Sequence, residues 1–172
     1  MRNKIIRFII VYLITVTIGT LSHFAFSYFN VPMFFKIIFP VNESIFEHLK
    51  LFFYPFILIS IFEGILCNEK IDSFIAKRGF IISFIMLFEI VYITITSKLF
   101  GNIAFVNVSS YYILILVAFI ISYYLDSNNK IIKIGGYINI FVWILLFIIF
   151  TSGMGRVFAF TSIFAVSTPF SE

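Results

Sequence analysis

Five long apolar runs, separated by short polar breaks, make up most of this chain. They cover about Phe8–Tyr28, Ile45–Leu66, Gly79–Thr96, Val108–Leu125 and Ile134–Phe150. A helix of about 20 residues crosses the hydrocarbon core of a bilayer, and it satisfies its own backbone hydrogen bonds there. The runs therefore predict an all-α fold, a polytopic integral membrane helical bundle with about five transmembrane helices.

The composition excludes an ordinary soluble protein. Of the 172 residues, 62% are hydrophobic and 12% are charged, whereas soluble proteins are about half apolar and about a quarter charged. We expect a single transmembrane domain, residues 1–172, whose core is the bundle itself. The single cysteine, Cys67, excludes an intramolecular disulfide and a cysteine-based metal cage.

The basic residues predict the orientation in the membrane. The five runs have six polar flanking segments, numbered here from the N-terminus. Segments 1, 3 and 5 together hold eight Lys and Arg residues, and segments 2, 4 and 6 hold four. Because Lys and Arg are retained on the cytoplasmic side, the N-terminus is predicted inside and the C-terminus outside. The same residues are too scattered to follow a nucleic acid backbone, so the expected partner is the lipid bilayer and not nucleic acid.

Two further features concern the source and the C-terminus. The abundance of Phe, Ile, Lys and Asn suggests an AT-rich bacterial genome, and hence a multi-pass protein of the bacterial cell membrane. The last apolar stretch, Val157–Val166, is too short for a sixth span. It predicts a re-entrant or interfacial segment.

A polar motif, PVNESIFEHLK, interrupts the apolar pattern at the start of the second run. Asn42 or Ser44 can cap the incoming helix, and Ser44-x-x-Glu47 is a capping-box pattern. Glu43 and Glu47 also suit the positive end of the helix dipole. The motif therefore predicts a helix start at a membrane surface.

Capping does not account for all the polar residues of this motif. At 100° per residue, Glu43, Glu47 and Lys50 lie on one helical face, and Ser44 and His48 form an adjacent stripe. One interpretation is a structural Glu47–Lys50 ion pair, with Lys50 reaching outward to the interface. The other is a binding site within the membrane, since intramembrane ionisable groups commonly mark such sites.

The first run carries a matching stripe of small and polar residues. Thr15, Gly19, His23 and Ser27 recur every four residues. His23 lies about five residues before the outer end of its span and His48 about three residues after the outer start of the next, so their depths agree within a few ångströms. We therefore expect the only two histidines of the chain to face each other in the outer leaflet.

Two chemistries suit such a histidine pair. His23 and His48 with the Glu47 carboxylate are a ligand set for a divalent metal such as zinc, iron or manganese, although neither histidine belongs to an H-x-x-x-H pair on one helix. The alternative is a proton-relay or hydrogen-bonded ligand site without metal. The sequence leaves both open.

Glu89 is an acid near the midplane of the third run. Such a residue costs about 2.5–3.5 kcal/mol on insertion. We expect it to face the bundle interior, and to be either protonated or hydrogen-bonded to Tyr92 or to a serine of another helix. Glu63, one turn from the inner end of its span, is expected to reach the interface.

The segments LSHFAFSYF and PVNESIFEHLKLFFYPF resemble an uncharacterised bacterial family of small polytopic membrane proteins, built on a domain of unknown function. The resemblance is specific over about Leu21–Phe56. It implies a multi-pass membrane protein without assigned activity. Its motif residues in this chain are His23, Asn42, Glu43, Ser44, Glu47, His48 and Lys50.

Three functions are consistent with these residues. The first is an outward-facing polar pocket that binds or transports a small ligand, an ion or a lipid headgroup, with Glu89 as a deeper proton acceptor. The second is a membrane-embedded enzyme, with or without a metal, that acts on an outer-leaflet lipid through His48 or Glu47 as base and Ser44 as nucleophile or orienting group. The third is an accessory membrane subunit. Five spans are few for a monomeric transporter, so transport implies a homo-oligomer or a membrane partner.

Overall fold

The protein folds into a series of long helices. The computed structural model describes residues 2–28, 32–42, 44–101, 103–126 and 128–151. The helices are α1 (Arg2–His23), α2 (Ala25–Tyr28), a 3-10 helix (Met33–Ile37), α3 (Ile45–Leu66), α4 (Ile71–Phe100), α5 (Ala104–Tyr124) and α6 (Lys130–Thr151). The described part of the chain contains no strand.

Five of these helices, α1 and α3 to α6, are long and apolar enough to cross a membrane. The predicted helical membrane class is therefore confirmed, and the described residues contain the five predicted spans. Large apolar side chains such as Phe105 and Ile131 point away from the protein, as lipid-facing residues do. Glu43 and the predicted C-terminal segment Val157–Val166 lie outside the described residues.

The start of α4 differs most from its prediction. The apolar run begins at about Gly79, whereas the helix begins at Ile71. The additional turns contain four polar residues among eight, and contacts with other helices hold them: Asp72 accepts a hydrogen bond from Lys133, and Arg78 pairs with Glu63. A hydropathy pattern detects segments that lipid stabilises. It cannot detect these turns, because side-chain partners on other helices stabilise them.

α4 is the central helix of the bundle. It packs against α3, α5 and α6, while α1 packs against α3 and α5. Fully buried side chains between these helices include Phe53, Phe56, Ile82, Ile115 and Phe147. Because α3 and α4 carry most of the core contacts, polar residues on their packed faces, such as Ser60 and Glu89, lie inside the protein.

Glycines allow the closest helix crossings. A Cβ atom at Gly136 of α6 would lie 1.8 Å from the carbonyl oxygen of Ala76 on α4. At Gly19 of α1, a Cβ atom would lie 1.9 Å from the Tyr111 hydroxyl and 3.0 Å from the Leu51 carbonyl oxygen. Small residues at such crossings let helix backbones approach closely in membranes.

The two ends of the bundle carry different sets of polar residues. We call the end that contains Arg7, Cys67, Lys77 and Arg78 the basic end, and the end that contains the Pro40–Lys50 motif the motif end. Contacts across the basic end join α1, α3 and α4, since Arg7 reaches Glu63 and Cys67, and Arg78 reaches Glu63. The predicted N-inside orientation places the basic end in the cytoplasm.

Cys67 offers a direct test of that orientation, because it is the only native thiol and it caps α3 at the basic end. We expect a membrane-impermeant maleimide to leave Cys67 unlabelled in intact spheroplasts and to label it in disrupted membranes. Lys98→Cys in a Cys67→Ser background places an exposed thiol at the other end of α4 and should be labelled from outside. Labelling of Cys67 but not of position 98 in intact cells would reverse the orientation.

Candidate functional site

The motif end begins with a capped helix. Ser44 is the N-cap of α3, and its Oγ accepts a hydrogen bond of 3.3 Å from the Glu47 backbone N–H. Asn42 Oδ1 accepts a bond of 2.9 Å from the Ser44 backbone N–H. Glu47 Oε2 therefore reaches the Val41 N–H instead, at 3.0 Å. The predicted cap by Ser44 is confirmed, while the return bond of the capping box goes to a different donor.

The Glu47–Lys50 ion pair of the structural interpretation is present, but Lys50 is buried and does not reach outward to the interface. Its side chain is 1% exposed. The Nζ ammonium donates to Glu47 Oε2 at 2.6 Å, to the Lys36 carbonyl oxygen at 2.7 Å and to Thr151 Oγ1 at 2.7 Å. These partners come from α3, the 3-10 helix and α6. Lys50 is thus a structural link between three segments, with all three ammonium hydrogens bonded.

The two histidines lie against each other, as their depths predict. The ring centroids of His23 and His48 are 5.0 Å apart, with the rings tilted by 39°. His48 Nδ1 lies 2.8 Å from the Ser44 carbonyl oxygen. A carbonyl can only accept, so Nδ1 carries the hydrogen and Nε2 carries the lone pair in the neutral ring. The geometry makes His48 Nε2 the basic nitrogen of this ring.

The arrangement around Ser44 does not form a nucleophile–base pair. The Ser44 hydroxyl accepts the capping bond, and His48 contacts the Ser44 carbonyl oxygen. Ser44 itself is buried. The described bonds of Ser44 therefore serve the helix start, and the enzyme hypothesis gains no support from them.

Glu89 is buried in the bundle interior, as predicted. It is 2% exposed. Its Oε1 accepts a bond of 2.7 Å from Ser110 on α5, which is the predicted serine of another helix. Its Oε2 is buried without a hydrogen-bond partner among the described residues. His48 of α3 lies within electrostatic range of Glu89, while the hydrogen-bond partner of this acid is Ser110 of α5.

The described residues do not assemble the predicted metal set. Among the parts of the chain that the structure describes, no three His, Cys, Asp or Glu side chains come together as ligands. Glu47 binds Lys50 and not the histidines as a third ligand. Two imidazoles alone fall short of the three or four protein ligands that zinc takes. The divalent metal remains a prediction, and no chemical step is assigned to it.

A second polar cluster, at the basic end, is not predicted by the sequence reasoning. Glu63, expected at the interface, is buried and bonds Arg78 at 2.6 Å, and Arg7 lies 3.5 Å from its other oxygen. Arg7 also donates to Cys67 Sγ at 2.8 Å. The available signal was an acid in the last turn of α3 followed, across a short connection, by Lys77 and Arg78.

The chain matches no protein-family model, no curated protein and no solved structure. Its class therefore follows from the fold and the polar groups: a multi-pass helical membrane protein with ionisable side chains buried between its spans. The family resemblance carried by the Leu21–Phe56 segment remains an expectation.

Proposed function

We propose that this protein is a membrane-embedded binding and transport module for a small cation, and specifically for the proton. The observation that carries the proposal is the state of Glu89, a carboxylate buried between helices with only one of its two oxygens bonded among the described residues. A buried charge is costly unless it is paired or neutralised. A carboxylate with a bare oxygen at this depth is suited to accept a proton.

The histidine pair supplies the approach to this acid. His23 and His48 are half-buried at the motif end, whereas Glu89 is fully buried and lies within electrostatic range of His48. Imidazoles exchange protons near neutral pH. We infer that a proton enters at the histidines and reaches Glu89, where the Ser110 hydroxyl holds the carboxylate in place.

The remaining residues of the motif support this path without taking part in it. Glu47 and Lys50 bond each other and fix the start of α3 against α6 and the 3-10 helix. Ser44 and Asn42 fix the backbone that positions His48. Five spans are few for a complete pathway, so the proposal includes a homo-oligomer or a membrane partner, in a bacterial cell membrane.

Proton flux into proteoliposomes tests the proposal. A membrane potential imposed with potassium and valinomycin would drive protons onto an entrapped pH indicator. We expect uptake faster than in protein-free liposomes for the wild type, and uptake at the protein-free level for Glu89→Gln. The amide keeps the shape and removes the titratable charge, so Glu89→Gln should fold with an undiminished melting temperature. His23→Ala and His48→Ala should both slow uptake.

Asp126→Asn is the matched control, because Asp126 is an exposed acid at the other end of the bundle. It should conduct like the wild type. Wild-type liposomes no more permeable than protein-free ones would contradict the proposal and favour the accessory-subunit function. A folded Glu89→Gln protein with undiminished flux would remove Glu89 from the path.

A further inference from the structure

A cavity at the basic end is unrelated to the histidine site. It encloses about 350 Å³ between α1, α3, α4 and α5. Its charged lining consists of four cations and two carboxylates: Lys4, Arg7, Lys77, Arg78, Glu63 and Glu69. The cavity therefore has an excess of positive charge, which favours an anionic ligand.

Arg78 is the central group of this cavity. It is 5% exposed, and its NH2 group donates to Glu63 at 2.6 Å. The guanidinium carbon lies 4.7 Å from the ring centroid of Phe119 and 4.9 Å from that of Phe74. These rings stabilise the charge. Nε and NH1 are buried and have no hydrogen-bond acceptor among the described residues, so two nitrogens of the guanidinium fork are unsatisfied.

A second buried donor lines the same cavity. Ser122 of α5 is 2% exposed, and its hydroxyl has no partner within the described part of the chain. Arg N–H groups, Lys ammonium groups and a hydroxyl together are the groups that bind phosphate oxygens. Two unsatisfied donors on different helices, Arg78 and Ser122, therefore face one volume that suits a phosphate group.

An apolar groove adjoins this cavity. It has a volume of about 370 Å³ and lies between α1 and α3. Its apolar residues include Ile10, Ile14 and Phe62, which are 50%, 44% and 54% exposed and point toward lipid. The groove shares Arg7, Val11 and Glu63 with the cavity. A ligand that occupies both is charged at one end and apolar at the other.

We propose that the basic end binds an anionic phospholipid, with its phosphate in the cavity beside Arg78 and Ser122 and an acyl chain in the groove between α1 and α3. A site of this kind differs from the general attraction of basic residues to an anionic leaflet. General attraction depends on the number of charges near the surface. Affinity for a specific binding site depends on which lysine is removed and on the shape of the groove.

Native mass spectrometry of the detergent-purified full chain measures the difference. The probes are dioleoyl phosphatidylglycerol and dioleoyl phosphatidylcholine, and we expect preferential binding of the first. Lys77→Gln removes a cation of the cavity and should raise the Kd for phosphatidylglycerol about fivefold. Lys130→Gln, the matched control, removes an exposed cation at the start of α6 that does not line the cavity. Its effect should be clearly smaller than that of Lys77→Gln, because Lys130 does not line the cavity.

Two tryptophan variants test whether the phosphate group belongs to a lipid, and an Arg78 variant tests the guanidinium. Ile10→Trp fills the groove and should weaken phosphatidylglycerol binding. Ile9→Trp places the same ring on a neighbouring position that is 48% exposed and outside the groove, and it should not. Arg78→Lys keeps the charge opposite Glu63 but removes the guanidinium fork, so it should also weaken binding in a protein that still folds.

Three results would overturn the proposal. Equal binding of the two lipids would show that the headgroup charge is not recognised. Equal losses for Lys77→Gln and Lys130→Gln would show general attraction only. Displacement of the lipid by inorganic phosphate, together with full binding by Ile10→Trp, would show that the cavity takes a free anion and not a lipid.

Discussion

Lys50→Met should lower the free energy of unfolding by about 3–5 kcal/mol, because it leaves the Glu47 carboxylate buried without its cation. Glu47 is 4% exposed, and Lys50 is its only ion-pair partner among the described residues. The substitution also removes the bonds that Lys50 donates to Lys36 and Thr151. Unfolding of the purified protein in mixed micelles, followed by circular dichroism, measures the change.

Two comparisons separate this effect from the general loss of a lysine. Lys98→Met removes an exposed lysine near the same end of the bundle and should change stability little. Glu47→Gln combined with Lys50→Met removes both charges and should recover much of the loss, so the two effects should be strongly non-additive. A Lys50→Met protein as stable as Lys98→Met would mean that Lys50 is not the buried link seen here.

Gly136→Ala should weaken the crossing of α4 and α6. The added methyl group would lie 1.8 Å from the Ala76 carbonyl oxygen. Neither backbone can move aside locally, so the helices must separate. Overpacking of this kind costs about 1–3 kcal/mol, and more where backbone is involved. We expect a lower melting temperature in detergent and less folded protein in the membrane.

The neighbouring glycine is the control for this substitution. A Cβ atom at Gly135 would lie 3.1 Å from the Phe80 ring, which is a side chain that can turn away. Gly135→Ala should therefore be tolerated, although both substitutions have the same helix propensity and nearly the same depth. Equal destabilisation by the two substitutions would contradict the close contact between α4 and α6.

The positions of single polar groups were predicted where local geometry determines them. The cap at Ser44 follows from short-range hydrogen bonding. The contact of His23 with His48 follows from helical spacing and from two spans that enter the membrane at one end. The interior position of Glu89 follows from the cost of a carboxylate in lipid. Each prediction used distances along one helix or across one connection.

The burial of Lys50 could not be predicted in this way. A lysine near a helix start can reach water or turn inward, and the sequence pattern of α3 is compatible with either orientation of the Lys50 side chain. Thr151 and the Lys36 carbonyl oxygen decide between them, and these groups lie 101 and 14 residues away along the chain. The basic-end cavity is similar, since it requires α1, α3, α4 and α5 together.

The sequence by itself determined the membrane class, the five spans and the helix start at the motif, because lipid solvation and backbone hydrogen bonding act on each segment separately. Only the tertiary structure decided that Lys50 links three segments, that α4 begins at Ile71 and that Arg78 and Ser122 face one cavity. A buried polar group needs a partner, and in this bundle the partner comes from a different helix whose position no local pattern records.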